Sequence, residues 1–343
     1  MNAQRPIISR SATLFAVVVL FLAAAWGYLF GYPPPPVDPA WEVEAADSIP
    51  EGSVVVRYAG TSTLLFDDGK TAFMLDGWFS RPPPFSVFFG EIEPDLDAIS
   101  YGLDAMDVEK LAAVIPVHSH YDHAMDTPEV AMRTDAVVYG SEATANICRG
   151  WGLAEERIAV LSDRAPLQLG AFTITPIESK HFQFNDPEMV ETMLTQSEIP
   201  EPLVPPVSAF DYKLGKAYVL LIEHPKGSAL VIGSAGFVPG QLEGIEADVV
   251  FAGVGGIGSQ SAEYREQYWA ETVATVKPER LVLIHWDSLT GPIDQPMTGE
   301  VRIAGFLAAG AKDTEAFLKA KAAENPDLPF QTLPRFAPVV LFP

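Results

Sequence analysis

The chain has 343 residues, 48% of them hydrophobic, and a formal net charge of −23 at pH 7. That much apolar material can fill one large domain or two small ones. The charge argues against a polyanionic substrate, because nucleic-acid enzymes line the phosphate path with Lys and Arg and this sequence has no basic cluster. The single cysteine, Cys148, excludes intramolecular disulfides and a cysteine-rich metal site; it falls in a helix-like stretch, 142–150, and reads as a small core residue.

Taken in chain order, Arg5 and Arg10 precede an uncharged run from Ser11 to Tyr32. At 1.5 Å per residue that run makes a helix of about 33 Å, which predicts a transmembrane anchor over 11–32. Residues 1–10 then form a cytoplasmic n-region. Lys and Arg are absent until Arg57, so the positive-inside bias puts the remainder outside the cytoplasm, on the periplasmic side in a bacterium. The alternative is a cleaved signal peptide with Ala23-Ala24-Ala25 as its small-residue site and a secreted product. Apolar character continuing through Trp26, Tyr28, Leu29 and Phe30 favours the anchor. Residues 33–50 read as a proline-rich linker, with Pro33 to Pro36 a stiff spacer, and 51–343 as the folded domain.

Within that domain, Val54–Tyr58, Ser62–Phe66 and Thr71–Leu75 read as strands broken at Gly60 and at Asp67-Asp68-Gly69-Lys70. Residues 78–106 look irregular and rich in Pro and Phe, and Asp107–Ala113 is predicted as a helix. Helix and strand signals then alternate: helix 127–133, strand 136–140, a helix capped by Ser141, and strand 172–177. An acidic, proline-bearing insertion occupies 183–208, a surface loop or a lid. A hairpin over 218–232 turns at Pro225-Lys226-Gly227, and strands 248–251 and 281–284 bracket a helix at about 263–276. No internal sequence repeat is visible.

The densest chemistry is His118-Ser119-His120-Tyr121-Asp122-His123, directly behind the apolar run 111–117. Three of the six histidines of the chain fall in these six positions. His118 and His120 are spaced so that both rings can meet one ion, while Asp122 and His123 offer an oxygen and a nitrogen nearby. Imidazole with carboxylate is the ligand chemistry of zinc and similar divalent metals. His224 lies in the hairpin turn and reads as a solvent-exposed histidine. Gly253-Val254-Gly255-Gly256-Ile257-Gly258 lacks the acidic residue a dinucleotide loop requires and reads as a glycine-rich turn.

This H-x-H-x-D-H pattern resembles the metal-binding signature of the metallo-β-lactamase fold superfamily. Its extended form, 118–126, resembles the branch containing N-acyl-phosphatidylethanolamine phospholipase D and L-ascorbate-6-phosphate lactonase. The resemblance implies an α+β fold, a four-layer αββα sandwich, here behind an N-terminal transmembrane helix. It implies a first metal on His118, His120 and His181 and a second on Asp122, His123 and His285. Asp76 matches an early strand-end aspartate that orients a ligand histidine, and Asp126 is a structural hydrogen-bond acceptor. Ser234 stands where the family carries a metal-bridging aspartate, so the first zinc site is expected to fill and the second to be weak. Trp286 and Asp287 adjoin His285 and are candidates for the pocket wall.

The implied chemistry is a metal-dependent hydrolase. Three histidines leave zinc a position for water, whose pKa falls to about 7, and the resulting hydroxide attacks an ester or phosphodiester. Asp122, His123 and His285 are the residues expected to handle the proton and the developing charge. The apolar N-terminus and the loop Pro82–Phe89 suggest an amphipathic or lipid substrate. Alternatives are a lactonase on a small carboxylic ester, or a non-catalytic metal- or ligand-binding descendant of the fold.

Overall fold

The computed structural model describes residues 10–183, 190–191, 197–303 and 310–343. Its strands are β1 (Val54–Gly60), β2 (Thr63–Asp67), β3 (Ala72–Leu75), β4 (Ala113–Ile115), β5 (Val137–Gly140), β6 (Ile158–Val160), β7 (Leu167–Leu169), β8 (Phe172–Ser179), β9 (Ala217–His224), β10 (Gly227–Ile232), β11 (Val249–Gly253), β12 (Arg280–Ile284), β13 (Phe330–Gln331) and β14 (Val339–Phe342). They form two seven-stranded sheets, ordered β14-β1-β2-β3-β4-β5-β6 and β13-β12-β11-β10-β9-β8-β7. In each sheet, antiparallel pairs give way to three successive parallel pairs.

The strand sequences explain the layering. Side chains alternate across a strand, and where both faces are buried, as in β11 and in β12 after Arg280, the strand reads as an unbroken apolar run. Val56, Tyr58, Leu64, Phe66, Phe73 and Ile115 point into the space between the sheets. Their neighbours Ala59, Leu65, Met74 and Val114 point outward, where helices α3 (Leu96–Ala105), α5 (Thr127–Thr134) and α6 (Glu142–Trp151) cover them. Phe66 meets Phe251 edge-on at 5.7 Å and Phe73 meets Phe172 at 5.1 Å, each pair joining one sheet to the other. Such aromatic contacts add about 0.5–1.5 kcal/mol each beyond burial.

The structure corrects several sequence expectations. The stretch 78–106 is not irregular: it holds α2 (Pro84–Phe89) and α3, whose N-cap Asp95 accepts from the amides of Asp97 and Ala98. The helix expected over Asp107–Ala113 is a turn, because Asp107 takes φ +56° and stops the preceding helix before β4 begins. His224 is not solvent-exposed. It ends β9 with its side chain only 8% accessible, 3.5 Å from Asp68 in the turn of the opposite sheet and with its ring tilted against that of Phe172 at 4.8 Å. The insertion 183–208 falls partly outside the described residues; its described end carries a bridge from Ile92 to Val207.

The N-terminal helix α1 runs from Arg10 to Leu29. Among the described residues no helix is long and apolar enough to cross a membrane, so the transmembrane span expected over 11–32 is not supported. The proline-rich stretch after it lies against the domain: Gly299 donates to the Pro33 carbonyl, Val37 is buried, and Val43 donates to Thr332.

Candidate metal centre

The site forms where strand ends of both sheets meet. β4 delivers the chain through Val117 to His118, after which His120 begins the short helix α4 (Tyr121–Ala124) carrying Asp122 and His123. β8 leads to His181 and β12 to His285. Two groups result, His118–His120–His181 and Asp122–His123–His285, each with its ligand atoms within 4.8 Å of one another. They adjoin, since the rings of His118 and His123 are 3.8 Å apart.

The second group is a near-regular triangle. Asp122 Oδ2 lies 3.4 Å from His123 Nε2 and 3.3 Å from His285 Nε2, and the two nitrogens are 3.3 Å apart. Ligands about 2.0–2.1 Å from a tetrahedral ion sit about 3.3–3.4 Å from each other, so these edges suit one divalent metal. In the first group His118 Nε2 and His120 Nδ1 are 3.1 Å apart, while His118 Nδ1 is buried with no hydrogen-bond partner. Burial, with the neighbouring histidines, holds the His118 and His181 imidazoles well below their usual pKa and therefore in the neutral, ligating form. The donor set fits a metal at both places.

Supporting contacts fix the ligands. His123 Nδ1 donates to Asp76 Oδ2 at 2.8 Å, which directs Nε2 to the triangle, and Ser62 Oγ lies 3.1 Å from the same nitrogen. Asp76 Oδ1 also accepts from the Val117 amide, bracing the turn into His118. Burial disfavours charge on His123, but Asp122 and Asp76 prevail and hold it at about 10 without metal. Burial likewise opposes charge on Asp122, yet His123 and His285 keep its carboxyl well below the usual range. Asp76 and His285 both have positive φ, +60° and +56°, a strain of order 1–3 kcal/mol that the surrounding bonds sustain. For His285 these are donations from its amide to Thr61 O and Tyr58 Oη.

The remaining residues singled out from sequence lie around this centre. Asp126 accepts from the amides of Phe79 and Ser80 and from Ser80 Oγ, and burial raises it to about 6. Ser234 accepts from the Phe182 amide at 3.3 Å, beside His181. Trp286 and Asp287 are buried; Asp287 is bound by Tyr58, Thr61 and Arg81 and braces the fold beneath His285. Sequence reasoning missed Tyr58, Thr61, Ser62 and Arg81, which support the site from the β1–β2 turn and the loop before α2. Only the tight Gly60-Thr61-Ser62 turn between two apolar strands hinted at them. The glycine turn after β11 has a packing role: a Cβ on Gly255 would lie 2.5 Å from His285 Nδ1.

None of the curated proteins matches this sequence. Among solved structures, Igni18, a metallo hydrolase from the archaeon Ignicoccus hospitalis, is 15% identical with a TM-score of 0.50, over 84% of this chain and 97% of that one. An isothiocyanate hydrolase from Delia radicum gut bacteria is 15% identical, TM-score 0.49, over 84% and 100%. CmlA, a diiron β-hydroxylase from Streptomyces venezuelae, is 13% identical, TM-score 0.47, over 87% and 55%. The first of these likenesses shows a common fold. A model of the family described as beta-lactamase superfamily domain matches residues 100–286, more than half of the chain and the stretch holding five of the six clustered ligands as well as His285 at its end; the chain belongs to that family.

Proposed function

We propose that this protein is a metal-dependent hydrolase that uses zinc to cleave an ester or phosphodiester. The observation that carries the reading is the Asp122–His123–His285 triangle, with edges suited to an ion, standing against the three-histidine group. A divalent metal bound there lowers the pKa of a water to about 7 and polarises the oxygen of the scissile group.

The chain's own residues supply the rest. Asp122, ionised and aimed into the cleft, accepts a hydrogen from the attacking water and orients it. His285 is the most accessible member of its group, at 14% of its side chain, and marks the open side where a leaving group enters; because its Nε2 is turned to the metal, the proton that the leaving group takes up comes from the attacking water through Asp122. His123 is fixed by Asp76 and neutralises charge rather than moving. The resemblance of 118–126 to the phospholipase and lactonase branch supports an ester-type bond, and the chain's charge of −23 supports a substrate that is not a polyanion.

The test is His120→Ala, examined for metal content by elemental mass spectrometry and for hydrolysis of a bis(aryl) phosphodiester and a lactone. Loss of a ligand is expected to remove metal and cut hydrolysis by more than ~100-fold, the upper end for residues that merely support ligands. Metal and activity both retained would end the reading. Metal bound by the parent with neither substrate cleaved would turn the case to a non-catalytic binding protein.

A further inference from the structure

Helix α1 presents apolar side chains on every side. Leu14, Phe15, Val17, Leu20 and Phe21 are all more than half exposed. At 3.6 residues per turn these five, with Val19 at 46% exposed, are spread around the helix with no gap wider than about 100°. A helix that packs on a protein buries one stripe, whereas an apolar girdle suits hydrocarbon. The C-terminal end of α1 is pinned to the domain: Arg302 lies 4.8 Å over the Tyr28 ring, and Tyr32 Oη donates to the Thr290 carbonyl at 2.7 Å.

Helix α2 shows the same chemistry nearby. Val87 is buried and holds it down, while Phe85 and Phe89 are 66% and 75% exposed with their rings 5.5 Å apart. Beside α2 lies a cavity of about 780 Å³, bordered by Tyr32, three residues past the end of α1, and by Pro84 and Ser86 from α2. That is the size of a small-molecule pocket. Arg81 lines it; the residue is 5% exposed, its Nε has no partner, and Nη1 donates to Asp287 and to the Ser288 carbonyl. Glu91, Glu93 and Asp294 line the same cavity and give it a negative rim.

We propose that α1 and α2 rest together on a zwitterionic lipid bilayer, and that the cavity beside α2 takes up a zwitterionic amphipath. Its phosphate or ester oxygen faces Arg81 Nε, its ammonium faces the acidic rim, and its chain stays towards Phe85 and Phe89. None of the six clustered ligands lines this cavity, so its binding of an amphipath stands apart from the hydrolase reading, which it would serve only as a place to hold substrate; Arg81 on its wall meets Asp287, two residues along the chain from His285. The acidic rim disfavours anionic headgroups at close range.

The experiment uses the full chain. Cys148 is buried, so a Phe89→Cys variant takes an environment-sensitive fluorophore at position 89 alone. With phosphatidylcholine vesicles its emission is expected to shift to the blue and to be quenched by nitroxide lipids; the same label at Val160→Cys, exposed on β6, stays unchanged. No shift at 89, or equal shifts at both, overturns the docking. In parallel, a fluorescent lysophosphatidylcholine is titrated into metal-free protein. Filling the cavity with Ala98→Trp, or independently Ser86→Trp, is expected to weaken its binding at least tenfold. Unchanged binding in both variants, or equal preference for phosphatidylglycerol vesicles, overturns the proposal. Probe binding that follows these expectations, in a protein that cleaves neither the probe nor the test esters once loaded with metal, supports the cavity and removes only the hydrolase reading.

Discussion

The two sheets share one plan and divide the metal ligands unequally. Read as β14 to β6 and as β7 to β13, they follow the same succession of antiparallel and parallel pairs. Leu75 pairs with Ile115 in the first half and Ile232 with Ala252 in the second. Three residues beyond those partners stand His118 and Gly255, so the position that carries a ligand in one half is empty in the other. By the same count from the Val114–Val138 and Phe251–Val282 pairs, Ser141 corresponds to His285. Ser141 caps α6 and binds Ser119, whereas His285 turns into the cleft over Gly255. The strands preserve the plan because both of their faces are buried; the loops at their ends are free to exchange a cap for a ligand.

The largest test of that division is Asp76→Ala. Asp76 follows β3 and serves the first half twice, by orienting His123 and by accepting from the Val117 amide. Removing a carboxylate behind a ligand histidine costs about 10–100-fold in metal affinity. Leaving the buried Val117 amide without an acceptor adds about 1–3 kcal/mol of lost stability. Competition titration with a chelating dye and thermal unfolding check both; affinity unchanged at the second group would show that His123 needs no support from β3.

A pH series sharpens the same point. Without metal, His123 stays protonated to about 10 in the fold but titrates near 6.5 when unfolded. Its folded pKa is raised, so the stability it contributes is full below about 6.5 and is lost as pH climbs through about 10. A metal must displace that proton, so affinity at the second group rises about tenfold per pH unit over the neutral range. Melts in chelator should therefore weaken from neutral to alkaline pH, while metal-loaded melts hold. An equal decline in both would mean that His123 is not a ligand.

These contrasts also explain what the sequence revealed. The histidine motif was legible because four donors share one short loop, and strands such as Val54–Tyr58 and Tyr218–Ile222 were legible because two buried faces require unbroken apolar runs. The repeat of the two halves was invisible, since pairing register keeps backbone positions while Ile115-Pro116-Val117-His118 and Ala252-Gly253-Val254-Gly255 share no chemistry beyond one valine. α2 was hidden by proline, which reads as a breaker yet is well placed, as Pro84 is, in a first helical turn. The role of Arg81 and Thr61 depended on Asp287 reaching them across the fold, contacts that no local pattern encodes.

A smaller effect is expected from Gly255→Ala. The added Cβ would stand 2.5 Å from His285 Nδ1 and 2.8 Å from its carbonyl oxygen. Overpacking of this kind costs about 1–3 kcal/mol, and here the ring most able to yield is a metal ligand. The second group should lose affinity while His118, His120 and His181 keep theirs, which a stepwise metal titration separates. Loss at both groups together would show that the centre behaves as one unit and not as two halves.

The smallest effect should come from Ser234→Asp. Ser234 follows β10, as Asp76 follows β3, but offers only a hydroxyl to the Phe182 amide beside His181. A carboxylate can accept the same amide and would add a negative charge beside a group whose three described ligands are all imidazoles. At a partly buried site one such charge is worth about 1 kcal/mol, a few-fold in affinity. Metal retained per chain after exhaustive dialysis should rise from about one towards two. If the parent already retains two, the 3.3–3.4 Å triangle is sufficient without a further carboxylate, and what distinguishes the second half is the space it leaves for His285.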